Sequence, residues 1–178
     1  MGPRRVAFWA PKAGSTEDTT MYSVNELGNS VGVYQMAYPA SGCMSAKKVQ
    51  AISTYAPGKS AAANGKAAEV RVAGNFVYAV NRNDKTFGAQ QDSVAVYSID
   101  PSTGNLKWVE AFNTYTYYPR TFQINKAGDM VAFGGQTSGN VAIASRDATT
   151  VKLGPLVAQL SVGGAGGAGQ EDDLSAVV

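Results

Sequence analysis

Histidine is absent from this 178-residue chain, cysteine occurs once, and only 16% of the residues are charged. The lack of histidine removes the usual general base at neutral pH and the commonest metal ligand. Any proton chemistry has to rest on Glu, Asp, Lys or Tyr, and we expect no metal and no cofactor. Cys43 cannot form an internal disulfide, which fits a reducing compartment and predicts a cytoplasmic protein.

Long hydrophobic runs and blocks of one charge are also missing. No window approaches eighteen apolar residues and no secretory signal is evident, so the sequence predicts no membrane association. The net charge is +2 without a Lys/Arg-rich block, which argues against nucleic acid as a partner. Apolar residues make up 44%, which is enough for the buried core of one ordinary domain or two small ones.

What the sequence does contain is an internal repeat. The runs "MYSVNEL", "VYAVNRN" and "VAFGGQT" align so that Asn25, Asn81 and Gly135 take equivalent places, 56 and then 54 positions apart. One short strand-like segment precedes each run and two follow it, with turn residues at intervals of about 8–12 positions. This pattern predicts an all-β protein of antiparallel β-propeller blades, about three of them in a partial ring. A two-sheet sandwich is the main competitor, although sandwiches rarely repeat internally.

The repeat also predicts how the chain is divided. We expect a partial propeller over residues 1–162, with blade units at about 1–54, 67–114 and 118–162, a polar rim insert at 55–66, and a glycine-rich, acidic tail at 163–178.

The polar residues at the ends of the first two strands differ between the units. Antiparallel neighbours place the start of one strand beside the end of the next, which pairs Arg4 with Glu26, Glu69 with Arg82, and Arg120 with Gln136. If the first strands are innermost, these side chains converge at one mouth of a central channel. Arginine offers a bidentate fork to carboxylate or phosphate, so such a cluster suits a small anionic substrate. The alternative is that each residue is only a solvated strand end.

Several motifs together resemble the lactonase family of seven-bladed β-propellers, which includes carboxy-cis,cis-muconate cyclases and 6-phosphogluconolactonases. They are "GPRRVAF", "YSVNELGNSVGVY", "AAEVRVAGNFVYAVNR", "SVAVYSIDPSTGNLKWVE" and "YPRTFQINKAGDMVAFGGQTSGNVAI". The resemblance covers most of the chain. It implies that Arg4, Glu26 and Arg82 are catalytic and that Arg120 contacts substrate. We expect three further substrate-binding residues beside them: Gln136, Asn25 and Asn81.

The resemblance implies one of two reactions, hydrolysis of a small anionic lactone or cycloisomerisation of carboxymuconate. The chain corresponds to about the C-terminal half of the family and lacks the histidine that the family carries in an earlier blade. The alternatives are therefore a shortened, inactive product, or a non-catalytic propeller fragment that binds protein or self-associates through open blade edges.

Three other features suggest no further function. Gly58-Lys59-Ser60 resembles the tail of a phosphate-binding loop, but the required glycine is replaced by Ser53. We expect no dinucleotide site at the "GAGGAG" tract, because that fold requires a helix, a further strand and an acidic residue about twenty positions on. Strand packing is the simplest explanation for Tyr115 and Tyr117 in "NTYTYYPRTF".

Overall fold

The computed structural model of the protein describes residues 2–12 and 19–162, which form three four-stranded antiparallel sheets. Blade 1 contains β1 (Pro3–Trp9), β2 (Thr20–Asn25), β3 (Ser30–Ala37) and β4 (Ser45–Ser53). Blade 2 contains β5 (Lys66–Ala73), β6 (Phe76–Arg82), β7 (Ser93–Ile99) and β8 (Leu106–Asn113). Blade 3 contains β9 (Pro119–Ile124), β10 (Met130–Gly135), β11 (Asn140–Arg146) and β12 (Leu153–Ser161). The prediction of an all-β partial propeller is confirmed, while the expected tail at 163–178 lies outside the described residues.

The strands of each blade lie in chain order, and the blades touch mainly through their first strands. β1 contacts β5, and β5 contacts β9, so the first strand of every blade lies on the inner side of the arc. Among the described residues, no helix is long and apolar enough to cross a membrane.

Two hydrophobic cores lie between the three sheets. The first joins blades 1 and 2 through residues such as Tyr22, Val33 and Tyr97. The second joins blades 2 and 3 through residues such as Val80 and Phe133. Since successive side chains of a strand point to opposite faces, blade 2 is covered on both faces. Within residues 2–12 and 19–162, each outer blade is covered by another blade on one face only.

A buried tyrosine on the second strand of a blade reaches the next blade. The Tyr22 hydroxyl donates to the carbonyl oxygen of Gly104 at 2.9 Å, and the Tyr78 hydroxyl donates to that of Val151 at 3.3 Å. Gly104 and Val151 both lie in the turn between the third and fourth strands of their blades. The two tyrosines hold the same place in the repeat, so one local pattern makes both inter-blade contacts. The third blade has Ala132 at that position.

The segment between blades 1 and 2 is tied to the loops around it. The Asn29 side chain donates to the Gly65 carbonyl at 3.0 Å, and the Asn83 side chain donates to the Ala63 carbonyl at 3.1 Å. β5 begins at Lys66, and Lys66 pairs with Arg82 across the sheet. The rim segment therefore lies against the same ends of the strands that carry the predicted site.

Candidate functional site

Glu26 connects the first two blades at the end of β2. Its Oε2 lies 3.3 Å from Nε of Arg4, and its Oε1 lies 4.0 Å from Nη1 of Arg82. Glu26 and Arg82 are equivalent residues of the repeat, each following the asparagine that ends or nearly ends a second strand. The structure thus brings together the three residues that the sequence predicts to be catalytic.

Arg82 is the most buried member of this group. Its Nε donates to the Pro119 carbonyl at 3.0 Å, and its guanidinium carbon lies 4.9 Å from the centre of the Tyr118 ring. Burial, followed by the charge of Arg4, lowers the pKa of Arg82 to about 10, so the group is still protonated at neutral pH. Its Nη2 is buried and has no hydrogen-bond partner within the described structure. An unpartnered buried donor on a charged group is costly unless a ligand or water accepts its hydrogen bond.

Arg4 and Arg120 occupy equivalent irregularities of β1 and β9. The pairing of β1 with β2 shifts between Pro3 and Arg5, and that of β9 with β10 shifts next to Gly135. Nη1 of Arg4 donates to the Ala68 carbonyl at 2.9 Å, and Nη1 of Arg120 lies 3.5 Å from Oε1 of Gln136. β-bulges redirect a side chain out of the regular alternation, which explains why both arginines turn towards the cluster.

We call these five residues the arginine–glutamate cluster: Arg4, Glu26, Arg82, Arg120 and Gln136. The charge of Arg120 acts on both Arg4 and Arg82 and, with burial as the larger cause, contributes to the lowered pKa of each. Three cations face one carboxylate, so the cluster has an excess of positive charge. An anionic ligand would relieve the repulsion between the arginines.

Asn25 and Asn81 lie inside the blades. Nδ2 of Asn25 donates to Oγ of Ser30 at 3.2 Å, and Nδ2 of Asn81 donates to Oγ of Ser93 at 2.9 Å. Each asparagine thus bonds to the serine at the start of the following strand. Nδ2 of Asn81 also donates to the carbonyl oxygen of Thr54 at 2.9 Å, just after β4, so this asparagine connects blade 2 to the end of blade 1. A substrate-binding role for the two asparagines stays a prediction.

The pairing of Glu69 with Arg82 that the sequence suggested is wrong. Lys66 lies opposite Arg82, and the pairing of β5 with β6 is irregular between Ala67 and Val70. The repeat position equivalent to Arg4 and Arg120 is therefore Ala68, and a shift of one residue turns a strand side chain to the other face. Glu69 is instead buried beside two other arginines, with Oε2 at 3.6 Å from Nε of Arg5 and 4.0 Å from Nη2 of Arg71.

Two residues of the site were not predicted from the sequence, Tyr118 and Asp92. Tyr118 is a non-glycine residue with φ of +59°, and its backbone N–H donates to Oδ2 of Asp92 at 2.6 Å. Oδ1 of Asp92 accepts from the backbone N–H of Asp84, also at 2.6 Å. Asp92 thus fixes the loop after Arg82 to the loop before Arg120. The aromatic run beside Arg120 was the available signal.

The explanation of Tyr115 and Tyr117 by strand packing is also wrong. Both lie between the end of β8 and the start of β9, and Tyr115 has φ of +57°. Tyr115 packs against the second core, and the Tyr117 hydroxyl donates to Oδ1 of Asn83 at 3.1 Å. The aromatic run is a loop that supports the cluster.

The described residues contain no group of three or more His, Cys, Asp or Glu side chains able to hold a metal ion. Cys43 is a free, exposed cysteine. The chemical capacity of the site therefore lies in the cluster, where arginines stabilise negative charge and a carboxylate accepts or positions a proton. The fold and this cluster together define a partial β-propeller with an excess of positive charge at the inner ends of its strands.

Comparison with known proteins gives the family. Residues 1–167 match the family model described as lactonase, 7-bladed beta-propeller, so the chain belongs to the lactonase family of seven-bladed β-propellers. A 6-phosphogluconolactonase of Formosa agariphila is 30% identical over 80% of this chain and 37% of its own length. A probable 6-phosphogluconolactonase of Arthroderma benhamiae is 31% identical over 86% of this chain and 37% of its own.

A solved structure shows the same fold. The periplasmic gluconolactonase PpgL of Pseudomonas aeruginosa superimposes with a TM-score of 0.73 at 23% identity, over 91% of this chain and 40% of PpgL. The chain therefore spans well under half the length of these relatives, which corresponds to three of seven blades. A cytoplasmic location stays a prediction, because PpgL is described as periplasmic.

Proposed function

We propose that the arginine–glutamate cluster is the active site of a lactonase that hydrolyses a small anionic lactone. The observation that carries this proposal is Nη2 of Arg82, a buried, charged donor that no residue of the described structure satisfies. The curated relatives from Formosa agariphila and Arthroderma benhamiae are named 6-phosphogluconolactonases, which supports a phosphorylated sugar lactone as the substrate.

The reaction requires three contributions from the cluster: stabilisation of an oxyanion, activation of a water molecule, and binding of the anionic group of the substrate. Water attacks the lactone carbonyl carbon, negative charge develops on the carbonyl oxygen, and the ring C–O bond then breaks to leave a hydroxy acid. Arg82 is suited to stabilise the developing oxyanion, because its guanidinium is held in place by Pro119 and Tyr118. Glu26 is suited to orient the water and accept its proton, and the proton passes to the leaving ring oxygen. Arg4 and Arg120 would hold the anionic group of the substrate.

Cycloisomerisation of carboxymuconate would use the same residues differently. The arginines would hold the carboxylates and Glu26 would move a proton between carbon and solvent. The names of the relatives favour hydrolysis over this reaction. A non-catalytic, self-associating module is favoured by one observation, the exposed apolar side chains of Val6 and Phe8 on blade 1.

The test is lactone hydrolysis by the purified chain with 6-phosphogluconolactone. We expect the chain to accelerate hydrolysis above the spontaneous rate, and Arg82→Ala to reduce kcat/KM by about 100-fold or more, as loss of a single oxyanion donor does. Lys107→Ala is the matched control, because it removes one positive charge from an exposed position on the outermost strand of blade 2. No acceleration by the unaltered chain, or equal rates for Arg82→Ala and Lys107→Ala, would reject the proposal for this chain.

A further inference from the structure

A cavity that does not include the arginine–glutamate cluster lies at the seam between blades 1 and 2. Its volume is about 440 Å³, and its walls come from the segment that follows β4, the loop after β6, the start of β7, and β8. None of the five cluster residues lines it. We call it the seam cavity.

Three side chains in the wall of the seam cavity carry buried oxygen atoms without a hydrogen-bond partner in the described structure. They are Oγ1 of Thr54, the hydroxyl of Tyr55 and Oδ2 of Asp84. The three residues are 1%, 6% and 3% exposed. Buried polar groups in proteins are nearly always hydrogen-bonded, so three such atoms behind one wall mark where a small side-chain movement would let a ligand in the cavity complete their hydrogen bonds.

The contacts of Asp84 within the described structure leave one of its carboxylate oxygens without a hydrogen-bond partner. Its Oδ1 accepts from the backbone N–H and the hydroxyl of Thr86, at 3.0 and 2.5 Å, and its own backbone N–H donates to Asp92. Its Oδ2 has no partner within the described structure. An ionised carboxylate only accepts hydrogen bonds, so the ligand must supply donors at this point.

The remaining lining residues limit the kind of ligand. Lys59 and Lys85 are exposed and line the cavity, which suits an anionic group on the solvent side. A bare metal ion is disfavoured by the two lysines and is far smaller than the cavity. An ammonium group would place a third positive charge near them. Hydroxyl groups satisfy the inner oxygens without adding charge, and Trp108 offers an apolar wall for a carbon ring.

We propose that the seam cavity binds a small polyhydroxy compound with one anionic group, of the sugar-phosphate or sugar-acid class. The hydroxyls lie against Thr54, Tyr55 and Asp84, and the anionic group lies near Lys59 and Lys85. This site is separate from the proposed catalytic cluster and does not rest on the proposed function.

The test is calorimetric titration of the Arg82→Ala chain, in which the cluster lacks its buried guanidinium. Glucose 6-phosphate and gluconate are the probes. Glucose and inorganic phosphate are the two parts of glucose 6-phosphate, and glucose is also the uncharged comparison for gluconate. We expect glucose 6-phosphate or gluconate to bind more tightly than glucose or inorganic phosphate. Tighter binding of glucose 6-phosphate identifies the anionic group as a phosphate, and tighter binding of gluconate identifies it as a carboxylate.

Three added substitutions locate the binding. Asp84→Asn should weaken it about tenfold, the effect of losing a charge-assisted hydrogen bond. Tyr55→Phe should weaken it about threefold or more, and it removes a hydroxyl that makes no hydrogen bond, so folding should be unaffected. Lys59→Ala should weaken the binding of the anionic probes and leave the affinity for glucose unchanged.

The proposal is overturned if neither anionic probe binds, or if Tyr55→Phe and Asp84→Asn both leave the affinity unchanged. Because every titration is done in the Arg82→Ala chain, failure of lactone hydrolysis would not alter these results.

Discussion

Glu26 and Arg82 have opposite charges because they contact each other. They occupy the same position in consecutive repeats, and blade packing brings them 4.0 Å apart at the inner ends of the strands. Packing requires the apolar strand pattern to be repeated, whereas the site requires different groups at the strand ends. The third repeat supplies Gln136, which lies beside Arg120.

The inter-blade tyrosines give a direct test of the packing at single-residue resolution. Tyr22→Phe removes a buried hydroxyl and leaves the Gly104 carbonyl without its donor, so we expect a loss of about 1–2 kcal/mol in the free energy of unfolding. Urea denaturation provides the measurement. Tyr34→Phe on the same blade is the control and should change stability by less than about 0.5 kcal/mol. Equal effects of the two substitutions would contradict the contact.

Asp92 gives a pH dependence whose sign follows from its burial. Burial raises the pKa of Asp92 from 3.8 to about 6, against three backbone N–H groups that lower it. Between pH 4 and pH 6 the unfolded chain is therefore ionised at this residue while the folded chain still holds the proton. Stability contributed by Asp92 is present below the unfolded pKa and is lost as pH rises towards 6.

The measurement is urea denaturation of the chain and of Asp92→Asn at pH 4 and pH 7. The amide does not titrate, so the free energy of unfolding of Asp92→Asn should rise relative to that of the unaltered chain between pH 4 and pH 7. The expected change is about 3 kcal/mol, which corresponds to a pKa shift of about two units. A difference that is the same at both pH values would show that the pKa of Asp92 is not raised.

The strand irregularities place the site and were only partly predictable. The alternating apolar runs predicted twelve strands in three sheets, because apolar residues at every second position can be recognised directly from the sequence. A bulge leaves no comparable signal. The irregular pairing of β5 with β6 is the reason that Glu69 was assigned to the wrong side of its strand.

The contacts between distant loops could also not be predicted from the sequence. Asp92 and Tyr118 meet through a left-handed backbone at Tyr118, and nothing in the local pattern of "NTYTYYPRTF" specifies that conformation. The convergence of Arg4, Glu26 and Arg82 was predictable in part, because the repeat and antiparallel pairing bring these strand ends together, whereas the bulge that turns Arg4 towards the cluster was not.

Gly135 shows why the third repeat departs from the asparagine of the first two. A Cβ at Gly135 would meet Ser138, Asn140 and Thr116, because the loop before β9 passes close to the end of β10. We expect Gly135→Ala to reduce the free energy of unfolding by about 1–3 kcal/mol, the usual cost of overpacking.

The matched control for that substitution is Gly154→Ala, where the added Cβ would meet mainly the hydroxyl of Ser145, which is able to rotate away. This control should change stability by less than about 0.5 kcal/mol. Chemical denaturation compares the two, and a Gly135→Ala chain as stable as Gly154→Ala would argue against the close loop.

The arc of three blades leaves apolar surface at both ends. Val6 and Phe8 on β1 are about half exposed, and Leu160 on β12 is 64% exposed. In blade 2, the middle blade, the corresponding faces are buried against blades 1 and 3. Since large exposed apolar patches and unpaired faces favour association, we expect the chain by itself to self-associate.

Light scattering coupled to size exclusion measures this directly. We expect a mass above the 18.5 kDa of one chain. Phe8→Ser should weaken the association and shift the population towards the monomer. Met44→Ser, in the exposed loop between β3 and β4, removes apolar surface from outside the two faces and should have no effect. A single species of 18.5 kDa at all concentrations would exclude association through the open faces.

The most direct test of the whole account is a crystal structure of the chain with 6-phosphogluconate, the product expected from lactone hydrolysis. We predict that an anionic oxygen of the ligand accepts a hydrogen bond from Nη2 of Arg82, with Arg4 or Arg120 on the same ligand. A structure in which Arg4, Glu26 and Arg82 face separate regions of solvent, with no ligand oxygen at Arg82, would contradict it.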